Sequence, residues 1–261
     1  MFFKRQIKIS LEPRLDPDLI ELAKLYPITP SSKSGRSWWK DVKSFYKVKR
    51  NIIGSKTVDD KINTFKYCPA VFDFTNSGYM VRWIHDIEFY VGKDGIISWQ
   101  VPEMIPLNWI SAHTKQQTEG CPIQNESGGD YIIKVNTPFV IETPKNWSVL
   151  FCKPFYSFDN YFDNCPGILD ADKDKYSCHA INVFFRFNVK DKVIRFKAGD
   201  PMIQLLPFKR IPTKLEFNEK PSKKIVKQHT HRLISSMSKF SNSSDLNETT
   251  LLKYRDPKIY E

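Results

Sequence analysis

The sequence predicts a mainly β protein: an antiparallel β-sandwich or jelly roll with short N-terminal helices and a C-terminal helical extension. Three observations predict it. Between about residues 79 and 206, short runs rich in β-branched and aromatic residues alternate with Pro, Gly, Asn and Asp, which is the texture of antiparallel sheets and not of βαβ units. Gly92-Lys93-Asp94-Gly95 separates two such runs and reads as a hairpin turn. The chain is 14% aromatic and 41% apolar, and rings suit the faces of a sheet.

In order along the chain, Phe3, Ile7 and Ile9 alternate as a short strand. Asp16-Pro17-Asp18 is a helix start, with a cap, a proline in the first turn and an acid near the positive helix end. Leu19, Ile20, Leu22, Ala23 and Leu25 form that helix's apolar side, and Pro27 and Pro30 end it. After a polar linker over residues 31–37, Trp38, Val42, Phe45 and Tyr46 recur at helical spacing opposite Lys40, Lys43 and Lys47, which predicts a second helix. Thr57 with Asp60 predicts a capped third helix through Ile62 and Phe65.

Strands are expected over Tyr79–Val91 and Ile96–Val101 as the hairpin. Others are expected over Tyr131–Val135, Phe139–Glu142, Trp147–Cys152, Ala180–Val189, Val193–Lys197 and Met202–Leu206. Ser222–Phe240 fits a terminal helix with Val226, Leu233, Met237 and Phe240 on one stripe, followed by an extended tail. The expected organisation is a basic N-terminal region over 1–66, a β core over 67–210 and a helix and tail over 211–261.

The net charge of +11 is unevenly spread. Residues 1–56 hold 13 Lys/Arg against 5 Asp/Glu, residues 57–208 hold 15 against 18, and residues 209–261 hold 12 against 6. A nucleic acid or other polyanion would therefore meet the flanks and not the core. No apolar run is long enough to span a bilayer, and the start lacks a signal peptide's continuous apolar stretch. Five cysteines without a CxxC pair fit free thiols in a reducing cytoplasm.

The chemistry-bearing candidates lie in Pro166-Gly167-Ile168-Leu169-Asp170-Ala171-Asp172 and Ala198-Gly199-Asp200-Pro201-Met202-Ile203-Gln204-Leu205-Leu206. A glycine, two apolar residues and an aspartate at a turn can set a carboxylate at a pocket mouth, where it can activate water. The commoner role for Asp170 and Asp172 is a turn aspartate satisfied by hydrogen bonds. In order and spacing these segments resemble the third and fourth motifs of the dUTPase and dCTP-deaminase superfamily. Ser77-Gly78-Tyr79 faintly resembles its first motif, and Thr143–Ser148 resembles the strand entry before its second. The resemblance implies a jelly-roll fold, a trimer and pyrimidine-nucleotide hydrolase or deaminase chemistry. It names Asp170 and Asp172 as catalytic candidates and Tyr79, Gly167, Asp170, Asp172 and Gln204 as ligand-binding candidates. The departures are specific. The superfamily's phosphate-gripping Arg-Ser-Gly-Leu turn is replaced by Lys153-Pro154-Phe155-Tyr156-Ser157, Lys173 stands where the stacking aromatic is expected, and no glycine-rich closing arm ends the chain. Without phosphate donors a triphosphatase loses most of its electrostatic stabilisation.

A broader resemblance, over about residues 38–210, rests on Cys68-Pro69…Asp73…Ser77-Gly78-Tyr79, on Pro166–Asp172, and on Ala198-Gly199-Asp200-Pro201…Gln204…Pro207-Phe208-Lys209-Arg210. It is to a family of no settled activity, encoded mostly by tailed phages and by some bacteria, and it implies a phage or bacterial cytoplasmic setting. No cofactor is named by any motif. His85, Asp86 and Glu88 lie on an expected strand with His113 and His179 near later ones, but no close-spaced ligand pair indicates a metal. Cys178 and His179 are strand neighbours and point to opposite faces.

Residues 33–56 carry eight Lys/Arg against one Asp, with rings interleaved. Arg36, Trp38, Trp39, Lys40, Lys43 and Lys47 are the nucleic-acid candidates. The competing reading has this helix packing its rings onto the sandwich with the lysines in water, and the helical stripe favours it. Three functions follow: a ligand- or partner-binding or structural module without retained catalysis, the reading favoured here; a nucleotide-acting enzyme; and a nucleic-acid-binding accessory protein.

Overall fold

The structure, a computed structural model, describes residues 6–12, 15–34, 41–52, 56–121, 131–154, 161–172 and 179–231. Strand β1 (Lys8–Leu11) leads to helix α1 (Pro17–Leu25), capped by Asp16, whose Oδ1 accepts from Asp18 N at 3.0 Å. Then come β2 (Thr29–Pro30), β3 (Phe45–Ile52), β4 (Lys56–Asn63), helix α2 (Pro69–Asn76) and β5 (Tyr79–Arg82). The middle of the chain supplies β6 (Ile87–Val91), β7 (Ile97–Gln100), β8 (Ile110–His113), β9 (Ile132–Glu142) and β10 (Trp147–Cys152). It continues with β11 (Phe162–Asn164), β12 (Gly167–Leu169), β13 (His179–Phe187), β14 (Lys192–Phe196) and β15 (Pro201–Lys209).

The chain divides into a compact unit of Met1–Ile211 and a second unit of Pro212–Glu261. In the first unit all pairings are antiparallel. One five-stranded sheet runs β1-β9-β13-β11 with β8 also on β9, another runs β12-β10-β15-β5-β2, and a three-stranded sheet runs β14-β6-β7. The first two form the sandwich. One continuous core joins all three: Ile133, Val135, Val183 and Phe185 face Val81, Val149, Ile203 and Leu205, while Phe89, Val91 and Phe196 close it from the third. The ring cluster shows the junction. Trp83, just past β5, stacks on Phe185 at 5.4 Å and on Phe196 at 4.6 Å, and Phe162 meets Phe196 edge-on at 4.8 Å. Offset and edge contacts of this kind add to the burial of the rings themselves.

The mainly antiparallel β-sandwich read from the sequence is the architecture observed. The hairpin β6–β7 turns where expected, with Gly95 at φ 82 and Asp94 Oδ1 accepting from Ile96 N at 3.0 Å. The expected helix from Thr57 and the last part of the one before it, Phe45–Lys47, are corrected. Phe45–Ile52 and Lys56–Asn63 pair in register as a two-stranded ribbon, so the Phe45, Tyr46 and Ile62 spacing belongs to strands. Phe45 and Tyr46 are 39% and 55% exposed. The physical reason is visible in the sequence: Val48, Ile52, Val58 and Ile62 are β-branched, which favours a pleated conformation over a helix. Trp38, Trp39 and Lys40 lie outside the described residues, as does Phe3.

Tyr79–Val91 is not one strand. Trp83–Asp86 breaks it, so β5 and β6 enter different sheets. The runs at 131–135 and 139–142 merge into β9, whose pairing with β13 shifts between Ala180 and Asn182. Helix α2 and strands β2, β8, β11 and β12 are additional to the sequence reading. In the second unit, residues 223–231 are helical, with Ser222 Oγ accepting from Ile225 N at 3.4 Å. Leu233, Met237, Phe240 and the tail lie outside the described residues. No helix among the described residues is long and apolar enough to cross a membrane.

Candidate functional site

The sequence candidates Asp170 and Asp172 follow β12, which pairs with β10, which pairs in turn with β15. That pairing brings Ser148 of β10 and Arg210, one residue past β15, beside them. Arg210 Nη1 lies 2.9 Å from Asp170 Oδ1 and 3.1 Å from Ser148 Oγ, and Nη2 donates to Asp172 Oδ2 at 2.5 Å. Ser148 Oγ, fully buried, donates to Asp170 Oδ1 at 2.5 Å. Asn146 N donates to Asp172 Oδ2 at 2.6 Å from the turn before β10. Asn146 holds a left-handed φ of 65 there, and its carbonyl accepts from Arg210 N at 2.8 Å. Asparagine tolerates that conformation better than other non-glycine residues.

One guanidinium therefore spans two carboxylates, and three separate chain segments close on it. The hydrogen bond from Arg210 holds the Asp172 carboxyl below the usual carboxylate range, helped by the Asn146 amide. The Arg210 guanidinium is held in its charged form in return, chiefly by Asp172 and then by Asp170. A general base needs a proton affinity matched to its task and a lone pair facing substrate. Here each carboxylate gives one oxygen to the Arg210 guanidinium, and the other oxygen of Asp172 is sealed from solvent. Chemically the arrangement is an ion-pair clamp at one corner of the sandwich.

The remaining candidates lie elsewhere. Gln204 is fully buried, and its Nε2 donates to the carbonyls of Phe74 and Ser77 at 3.0 and 2.9 Å, which anchors the end of α2 to β15. Gly78 needs its missing side chain: at φ 70, an added Cβ would stand 1.9 Å from Leu205 O. The Ser77-Gly78-Tyr79 segment is thus where α2 turns tightly against β15. Tyr79 and Gly167 occupy one row of the sheet, through Leu205 and Phe151. Three strand spacings, about 14 Å, separate them. Tyr79 instead lines a cleft of 730 Å³ with Ile7, Pro30, Pro144, Trp147 and Pro207, where none of the six is charged.

Of the histidines, His85 is held by its surroundings. His85 is buried and its Nδ1 lies 2.8 Å from Asp86 O, and burial pushes its pKa down. Asp86 Oδ1 accepts from Ala198 N at 2.8 Å, and Glu88 pairs with Arg195 at 2.5 Å. No group of three metal-ligating side chains occurs among the described residues. Cys178 lies outside them.

Of the nucleic-acid candidates, Lys43 and Lys47 are described and exposed. Lys43 Nζ sits 5.6 Å from the Tyr46 ring centre, and Lys61 Nζ sits 4.8 Å from that of Phe45. Arg36, Trp38, Trp39 and Lys40 lie outside the described residues. Sequence reading assigned no role to Arg210, Ser148 or Asn146. Their only signal is that Thr143–Ser148 and Pro207–Arg210 stand within the segments that carry the family resemblances.

No family model and no curated protein matches the chain. Among solved structures, the chain is similar to a point-mutant dUTPase from phage phi11 of S. aureus, with 9% identity and a TM-score of 0.30, over 58% of this chain and 88% of that one. At that TM-score the likeness transfers neither a site nor a reaction.

Proposed function

We propose that the chain is a non-catalytic binding protein that engages nucleic acid through the β3–β4 ribbon. The observation that carries this reading is the ribbon's surface: Phe45, Tyr46 and Ile62 stand in solvent beside Lys43, Lys47, Lys49 and Lys61. Residues 41–66 carry seven Lys/Arg against three Asp. Lysines track a phosphate backbone, and exposed rings offer faces on which bases stack without sequence preference. A two-stranded ribbon is also narrow enough to enter a nucleic-acid groove. The rings of the core are covered almost completely, whereas Phe45 and Tyr46 keep 39% and 55% of their surface in solvent.

The nucleotide-enzyme reading is the weaker one, because Arg210 pairs with one oxygen of each candidate carboxylate and the phosphate-gripping turn is missing from the sequence. Fluorescence anisotropy with single- and double-stranded oligonucleotides across a salt series tests the proposal. Binding should weaken steeply with salt, and Tyr46→Ala should cost roughly 1–3 kcal/mol on single strands if a base stacks there. Lys47→Glu combined with Lys49→Glu should flatten the salt dependence. Wild-type protein that retains neither oligonucleotide at low salt sinks the reading, as would a ribbon variant that binds like the wild type. Release of pyrophosphate from any pyrimidine nucleoside triphosphate, lost in Asp170→Asn, would restore the enzyme reading.

A further inference from the structure

We infer that a second cleft, on the outer face of the β9–β13 sheet beneath the start of α1, is a binding site for a neutral sugar or similar polyol. Its volume of 430 Å³ lies within the range of small-molecule pockets. The floor is a cross-strand pair, Asn136 of β9 opposite Asn182 of β13. Beside this pair three β9 residues, 137–139, oppose the single Ile181, and the Thr137 hydroxyl fills the irregularity by donating to Ile181 O at 2.7 Å. Bulged pairings of this kind re-aim neighbouring side chains next to sites.

The two carboxamides hold their oxygens differently. Asn136 directs its Nδ2 to Asn108 O at 3.0 Å, which leaves Oδ1 as its acceptor end. Asn182 Oδ1 is sealed from solvent and has no hydrogen-bond partner. A buried acceptor left without a donor is costly, so the Asn182 carboxamide gains by turning into the cleft when a guest there offers a hydroxyl.

Charge narrows the ligand. Lys134 lies on the same floor, and Glu12 and Asp16 stand at the rim. Lysine disfavours a cationic guest and the two acids disfavour an anionic one. A neutral molecule with several hydroxyls meets both, donating to the Asn and acidic oxygens and accepting from Lys134 Nζ. The opposite wall is apolar, with Trp109 and Leu19 buried and Leu15 beside them. A pyranose has the same two-sided character: hydroxyls around its edge and C–H groups on its faces.

Amide proton–nitrogen spectra of the full chain, titrated with glucose, galactose, mannose and N-acetylglucosamine, test this. Putrescine and citrate serve as charged comparators. At least one hexose should shift the amides of residues 134–136 and 180–182 and the Trp109 indole, saturating at millimolar concentration. Asn182→Leu should weaken that binding about tenfold or more, while the thermal midpoint holds or rises because the orphaned oxygen is gone. Lys134→Ala, a change at a half-buried position, should also weaken it severalfold and keeps the test usable if the leucine variant misfolds. The inference is overturned if no hexose moves these amides. It is equally overturned if putrescine or citrate moves them more strongly, or if both variants bind as the wild type does.

Discussion

The sandwich core and the β3–β4 ribbon use the same residue types in opposite ways. In the core, Trp83, Phe89, Phe185 and Phe187 are at most 1% exposed and touch other rings. On the ribbon, Phe45 and Tyr46 face solvent and their ring neighbours are lysine ammonium groups. Burial of a ring contributes to folding in proportion to the area taken from water, so the first set holds the molecule together. An isolated two-stranded ribbon gains little stability from such rings. The difference teaches that the aromatic share of this composition has two sources, only one of which the fold needs.

The comparison can be broken most directly at the ring junction. Trp83→Ala should destabilise by about 3–5 kcal/mol in urea denaturation, since it opens a cavity where three sheets meet; a loss below about 1 kcal/mol would mean the junction is not the centre of the core. Gly78→Ala comes next, at more than about 2 kcal/mol, because a side chain there meets the Leu205 carbonyl and an unfavourable φ together. A stable, unshifted Gly78→Ala protein would show that α2 is free to move off β15.

A smaller, pH-dependent effect belongs to the clamp. Asp172 has a folded-state pKa below its unfolded value, so its contribution is present above the ordinary carboxylate range. It is lost as pH falls through the depressed value. Wild-type stability should therefore exceed that of Asp172→Asn near neutral pH, and the two should converge in acid. A gap that stays constant down to about pH 2 would exclude this origin. The smallest effect is expected on the ribbon, where Tyr46→Ala should change stability by no more than about 0.5 kcal/mol. A large loss would move Tyr46 into the structural set and weaken the nucleic-acid proposal with it.

Much of the sandwich was legible because its strands carry local signals. The Gly92–Gly95 turn, the alternation in Ala180–Val189 and the β-branched Trp147–Cys152 run each declare their conformation within a few residues. The ribbon was misread for a definite reason. Phe45 and Tyr46 continue a helical period in the sequence, while the pairing of Phe45–Ile52 with Lys56–Asn63 is a relation between two segments. The clamp was half legible. Asp170 and Asp172 announce a turn, but nothing near them in sequence announces Arg210, which arrives 38 residues later through the pairing of β10 with β15. Gln204 is a ligand candidate only through the superfamily resemblance. Its partners are main-chain carbonyls, which residue type does not reveal.

The position of Arg210 has a mechanical consequence. It is the next residue after β15 and one residue from the end of the first unit. Tension applied through the C-terminal segment would reach the sandwich at β15, a strand held on both sides, by β10 and by β5. Its neighbours would be loaded in shear, with many hydrogen bonds resisting at once, and not unzipped one at a time as at an edge strand.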